Sequence, residues 1–230
     1  MMQISMRTWL NSIRDHILNN VTLKFPSKKT QINQDPPKQN LEPYWDPQFL
    51  ESLETWGEGN AWNEIQFLLS GCSGKVLDIA CGTGKIIEIL DKYPKIDIYG
   101  CDISDFLIDK AIRRGIPGNK LKICDATKMD YSDNSFEFSY SIGSLEHFTE
   151  GGIEKCISEC YRITKQTSFH LVPVSKSGSD EGWTTTIQSF YNNSTDWWIR
   201  KYSRCYRDII VLDSVWQDTI SDGKWFICFK

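Results

Sequence analysis

Residues Val76–Lys85 read VLDIACGTGK. Apolar residues suited to a buried strand run through Asp78 into Ala80-Cys81-Gly82-Thr83-Gly84, and Lys85 then opens the helix-like run IIEIL. Such a turn from strand to helix, with glycines in it, lets backbone approach a ligand at the end of a strand. Two phosphate-binding patterns are excluded. The dinucleotide pattern G-x-G-x-x-G/A starting at Gly82 needs Gly or Ala at position 87, where Ile87 stands, and no G-x-x-x-x-G-K-[ST] occurs.

Outward from this turn the signals alternate. Strands are expected at Val76 to Ala80, Ile96 to Asp102, Leu121 to Cys124, Phe136 to Ile142 and Ser168 to Val174. Helices are expected at Lys85 to Lys92, Asp105 to Arg114 and Ile153 to Thr164, with an aromatic helix near Ser189 to Tyr202. The last stretch, IIVLDSVWQDTISDGKWFICFK, reads as two strands joined by a short turn containing Asp222-Gly223. The pattern predicts an α/β, doubly wound, seven-stranded and mostly parallel sheet, with a C-terminal antiparallel hairpin and helices on both faces. No internal repeat is visible.

Each strand end carries a polar or small residue placed to meet one ligand. Asp78 ends the first strand, Asp102 the second in IYGCDIS, and Asp125-Ala126 the third in ICDAT. A carboxylate at Asp102 suits a ribose diol, since it accepts from both hydroxyls, and an acceptor at Asp125 suits an adenine amino group. The fourth strand, FEFSYSIGSLEHF, ends in small residues followed by Glu146 and His147.

VLDIACGTG, GCDIS, CDAT and FEFSYSIGSLEHF, in this order and spacing, resemble the motifs of the class I S-adenosylmethionine-dependent methyltransferases. The match is good over about Lys75 to Phe148 and departs from the common pattern at Ala80, where the first of three glycines often sits. The resemblance implies S-adenosylmethionine as cofactor and S-adenosylhomocysteine as product. It places Asp78, Ala80, Gly82 and Gly84 around the cofactor's methionine part, Asp102 and Ile103 at the ribose, Asp125 and Ala126 at the adenine, and Ser141 and Ile142 along its side. In this family, acceptor specificity commonly lies in N-terminal helices and in the insertion after the fifth strand. Tyr44, Trp45 and Trp183 are therefore the substrate candidates, with Trp183 beside Gly182 in a polar loop as a lid.

Methyl transfer to an alcohol requires alignment and removal of one proton, and histidine is the natural base near neutral pH. Of three histidines, His16 lies on the N-terminal helix and His170 inside SFHLVPV, while His147 follows the fourth strand at the mouth of the expected pocket. His147 is the candidate base, the alternative being that it packs against the cofactor; Glu146 stands in reserve. An Asn/Asp-Pro-Pro-aromatic turn is absent after the fourth strand, and no Pro-Cys dipeptide occurs. Asp35-Pro36-Pro37-Lys38 follows no apolar strand. These absences weigh against nucleobase acceptors and leave O-methylation of a small hydroxylated molecule, such as a sugar or nucleotide-sugar. A non-catalytic S-adenosylmethionine-binding regulatory module, or a protein or RNA methyltransferase, are the alternatives.

The bulk properties agree. A chain of 230 residues with 40% hydrophobic residues supports one substantial core. Net charge of -4 offers no overall attraction to nucleic acid or anionic membrane. No run approaches the ~20 apolar residues of a membrane span, and MMQISMRTWLNSIRDHILNN has the spacing of an amphipathic helix instead of a signal peptide, so a cytoplasmic protein is expected. Eight cysteines without a C-x-x-C pair read as reduced thiols, and Cys156 and Cys160, one helical turn apart, as packed side chains and not metal ligands. Proline-rich Lys24 to Pro43 reads as a linker, which divides the chain into residues 1–74, N-terminal helices and linker, and 75–230, the core.

Overall fold

The computed structural model describes residues 38–230 except 48, 186 and 187. The N-terminal amphipathic helix, His16 and most of the linker lie outside the described residues. Residues 38–230 form one compact unit.

The chain enters through a 3-10 turn at Glu42–Trp45 and two helices, α1 (Phe49–Thr55) and α2 (Ala61–Leu69). Alternation follows: β1 (Gly74–Ile79), α3 (Lys85–Leu90), β2 (Ile96–Asp102), α4 (Asp105–Arg113), β3 (Leu121–Ile123), β4 (Phe136–Ile142), α5 (Glu150–Ile163) and β5 (Thr164–Ser175). A two-stranded ribbon of β6 (Trp183–Thr185) and β7 (Ser189–Tyr191) precedes α6 (Thr195–Tyr202), and β8 (Asp208–Gln217) and β9 (Ser221–Phe229) close the chain. The main sheet has seven strands in the order β3-β2-β1-β4-β5-β9-β8. β1 to β5 are mutually parallel, and β9 runs antiparallel to both β5 and β8. The expected fold is what forms.

Strand alternation divides β1 between two faces. Leu77 and Ile79 join Cys101, Phe136 and Phe226 in a core closed by Ile153, Cys156, Ile157 and Cys160 of α5 and Trp198 and Tyr202 of α6. Val76 and Asp78 take the opposite side. The chain builds β2 and β3 on one side of β1, then returns to lay β4 on the other. Between the C-terminal ends of β1 and β4 lies the topological switch point, where an open α/β sheet offers a crevice.

Three elements differ from expectation. Ser189–Tyr191 is a strand and not the start of the aromatic helix, because it pairs with Trp183–Thr185; the helix begins only after Ser194, whose side chain caps Trp197 N. β5 starts four residues early, because the polar Thr164 and Ser168 hydroxyls are taken by Ser139 Oγ at 2.8 and 2.9 Å. Residues 38–74, grouped by sequence with the N-terminal segment, belong to the same compact unit as the core. Glu64 of α2 accepts from Ser214 Oγ (2.6 Å), Val215 N (2.7 Å) and Trp225 Nε1 (2.7 Å), Glu54 pairs with Arg114, and Ser104 Oγ donates to the Tyr44 carbonyl at 2.7 Å. All eight cysteines are free thiols. Among the described residues no cluster of three or more His, Cys, Asp or Glu could hold a metal ion, and no helix is long and apolar enough to cross a membrane.

Candidate active site

Two cavities meet above the switch point, one of about 420 Å³ and one of about 820 Å³. Leu53, Trp56 and Gly143 line both and form their common wall.

The smaller cavity gathers Tyr44, Asp78, Ala80, Gly82, Asp102, Ile103, Asp125, Ala126 and Ile142. Asp102 shapes the glycine turn: its Oδ2 accepts from Gly82 N at 2.8 Å and its Oδ1 from Ser104 N at 2.9 Å. Burial raises its pKa, and these amides hold it down. Asp78 is buried with Oδ2 lacking a partner, and desolvation raises its pKa well above the usual carboxylate range. Asp125 spends Oδ1 on the amide and hydroxyl of Thr127, both at 2.8 Å. Gly82 has φ +56°, and a Cβ there would meet nothing within 4 Å, so the turn faces open space.

Two predicted residues do not line the cavity. Gly84 has φ +73° and backs onto Ala111 of α4 and Ile116 beyond it, where a Cβ would collide with Ile116 Cδ1, so it sets the packing of the turn and not the ligand surface. Ser141 points the other way from Ile142, as strand alternation requires, and its Oγ lies 2.8 Å from His170 Nδ1 in the core. His170 is itself fully buried, and desolvation lowers its pKa to about 3.

Glu146 and His147 line the larger cavity. His147 Nδ1 sits 3.0 Å from the Ser189 carbonyl of β7. A carbonyl only accepts, so Nδ1 carries the proton and Nε2 keeps its lone pair. Burial lowers the pKa of His147, which favours this neutral form. Glu146 Oε1 is 3.8 Å from His147 Nε2. Of the substrate candidates, Tyr44 lines the smaller cavity, while Trp45 donates from Nε1 to Asp105 Oδ1 at 2.8 Å and Trp183 packs edge-on against Tyr191 with centroids 4.9 Å apart. Neither tryptophan lines either of these two cavities. The sequence reading missed Trp56, which belongs to both cavities, along with Lys85 and Lys155 in the smaller one.

Residues 76–167 match the family model described as a methyltransferase domain. The core is that of a class I S-adenosylmethionine-dependent methyltransferase. This methyltransferase core is similar to a ubiquinone/menaquinone biosynthesis C-methyltransferase of Desulfotalea psychrophila, 28% identical over 50% of this chain and 48% of that protein. The chain thus spans about half the length of that relative. In fold it is similar to an S-adenosylmethionine-dependent methyltransferase of Methanosarcina mazei, with TM-score 0.59 and 18% identity over 69% of this chain and 92% of that one. It is also similar to a Haemonchus contortus phosphoethanolamine N-methyltransferase solved in complex with S-adenosyl-L-methionine, with TM-score 0.59 and 15% identity over 74% and 52%. The cofactor of the core is S-adenosylmethionine, and the smaller cavity fits it. The unpartnered Asp78 carboxyl oxygen, the open space beside Gly82 and the lone pairs left on Asp102 and Asp125 suit a ligand with a cationic amino-acid end and a nucleoside end.

Proposed function

We propose that the protein methylates a hydroxyl of a small molecule held in the larger cavity, with His147 as general base. The observation that carries this reading is the free lone pair of His147 Nε2 on a cavity that shares a wall with the cofactor site. When bound, S-adenosylmethionine supplies a methyl group on a sulfonium whose departure leaves a neutral thioether. The chain's own residues do the rest. Asp78 would hold the cofactor's ammonium end, Asp102 its ribose hydroxyls and Asp125 its adenine amino group. The wall of Leu53, Trp56 and Gly143 would set the approach of the acceptor, since alignment is the main demand of an in-line displacement. Nε2 takes the hydroxyl proton, the Ser189 carbonyl holding the ring by its other nitrogen.

A hydroxylated metabolite such as a sugar suits a cavity that offers Asn40, Gln188 and Glu146 beside Trp56, Phe190 and Trp216. A cavity of about 820 Å³ is in the size range of small-molecule sites, which speaks for a small acceptor over a protein or RNA chain. The similarity to a C-methyltransferase keeps a carbon acceptor as the second reading.

The decisive experiment incubates the full chain with S-adenosylmethionine and a panel of sugars, nucleotide-sugars, phenols and quinols, and follows methyl-mass gain and its position. Under single-turnover conditions His147→Ala is expected to slow methyl transfer roughly 10²- to 10⁴-fold, with S-adenosylhomocysteine affinity nearly unchanged. Wild-type activity should fall on the acid side of the ordinary imidazole pKa, because burial lowers that of His147 and the imidazolium cannot accept a proton. A mutant with the wild-type rate and pH profile removes His147 from the chemistry. Methyl gain on carbon decides for the second reading, and no gain with a bound cofactor decides for a binding module.

A further inference from the structure

We propose that the larger cavity selects an acceptor bearing a cationic nitrogen, which the Glu146 carboxyl receives in a lining that also holds Trp56, Phe190 and Trp216. This rests on the reading of that cavity as the acceptor site. Glu146 is 5% exposed and stands on the cavity wall, and its Oε2 has no hydrogen-bond partner. A buried carboxyl oxygen without a donor costs free energy that a ligand recovers by supplying one. The groups around it bring no positive charge: Tyr44 from the entry turn, Tyr202 from α6, and a neutral His147.

The rest of the lining has the same sign. Glu42 and Asp46 are exposed at its edge and Asp218 adds a third carboxylate, its Oδ1 held by the amides of Ile220 and Ser221 at 2.8 and 2.6 Å. No Lys or Arg is among the described lining residues. Lys176, which reaches the Asp218 carbonyl, is turned to Gln217 and Asp222. A phosphate or carboxylate in this cavity would meet acids without a counter-charge, and a neutral hydroxyl would give the Glu146 carboxyl a hydrogen bond but no charge to set against its ionised form. A cationic nitrogen pairs with the carboxyl and is attracted to the aromatic faces. Burial pushes the empty Glu146 carboxyl up to about 8, so binding the cation near neutral pH releases a proton from Glu146 to solvent.

The test uses the full chain, with and without saturating S-adenosylhomocysteine. The ligands are matched triples: tyramine, para-ethylphenol and para-hydroxyphenylacetate, and glucosamine, glucose and glucuronate. In at least one triple the cation is expected to bind about ten-fold or more tightly than its neutral partner, an advantage that disappears in Glu146→Gln. Calorimetry in buffers of different ionisation enthalpy should show net proton release on binding to the wild-type protein, a readout independent of the variant. The proposal is overturned if neutral or anionic members bind as tightly as the cations, if no cation binds, or if binding releases no proton. Failure of S-adenosylhomocysteine to bind, or cation binding without methyl gain on any acceptor, strikes the methyl-transfer reading and leaves a cation site whose occupant is not a methyl acceptor.

Discussion

Ala80, at the cofactor turn, has φ +58°, in the left-handed region that a Cβ disfavours by about 1 to 2 kcal/mol. The sequence shows only an added methyl where a glycine often sits; the backbone angle shows that this methyl costs strain. Ala80→Gly is expected to stabilise the fold by about 1 kcal/mol in denaturant unfolding, and unchanged or reduced stability would show that the turn is not strained. Asp102 carries the opposite kind of weight, since it holds the amides of Gly82 and Ser104 and faces the cofactor cavity. Asp102→Ala should weaken S-adenosylhomocysteine binding by about 1.5 to 3 kcal/mol, the scale of a charge-assisted hydrogen bond. Calorimetry on a mutant confirmed folded by circular dichroism checks this, and an unchanged dissociation constant removes Asp102 from the ribose. The acids at strand ends were legible because each sits where a parallel strand hands over to a helix. Ser141 was misassigned because proximity in sequence to the pocket says nothing of which face a strand residue takes, and Trp56 was passed over because the turn after α1 that carries it lies outside the motif series.

At the scale of elements, the parallel strands and the terminal hairpin were legible from apolar runs and turn residues. The β6–β7 ribbon was not, because WTT and SFY are too short for any period to register and their aromatics continue into the helix beyond. Yet this ribbon supplies the Ser189 carbonyl that fixes the tautomer of His147. Its base is tied down by asparagines: Asn193 Oδ1 accepts from Gly182 N at 2.7 Å, and Asn192 Nδ2 donates to Glu181 Oε2 at 2.7 Å. Asn193 is buried, so Asn193→Ala leaves the Gly182 amide unpaired, at a cost of about 1 to 3 kcal/mol of stability. If the ribbon positions the base, this variant should also lower kcat for an identified acceptor while leaving S-adenosylhomocysteine affinity at the wild-type value. Equal loss of both would mean that the ribbon supports the whole cavity system and does not position His147 alone.

Across the whole molecule the buried titratable groups pull stability in opposite directions with pH. His170 has a folded pKa of about 3, below the ordinary imidazole value, so as pH falls through the range between them the unfolded chain takes up a proton that the fold refuses. This stability is complete above the unfolded pKa and is lost toward acid. Glu146 behaves inversely: its folded pKa of about 8 lies above the unfolded value of roughly 4.3, and between the two the unfolded chain releases a proton that the fold retains. That contribution is complete below the unfolded pKa and is lost as pH rises to about 8, at up to about 1.4 kcal/mol per pH unit. Asp78, also raised by burial, slopes the same way. The two tendencies offset one another in mildly acidic solution, while on the alkaline side the carboxyls act alone. Glu146→Gln removes one of these carboxyl slopes, since an amide does not titrate. Thermal unfolding of the ligand-free protein should therefore show the variant gaining stability relative to wild type on going from pH 4.5 to pH 8, at a nearly even rate until the folded pKa is approached, since His170 is common to both proteins and cancels in the difference. A difference between variant and wild type that stays constant over that range would mean that Glu146 is ionised in the fold, with a counter-charge supplied by some group outside the lining described above.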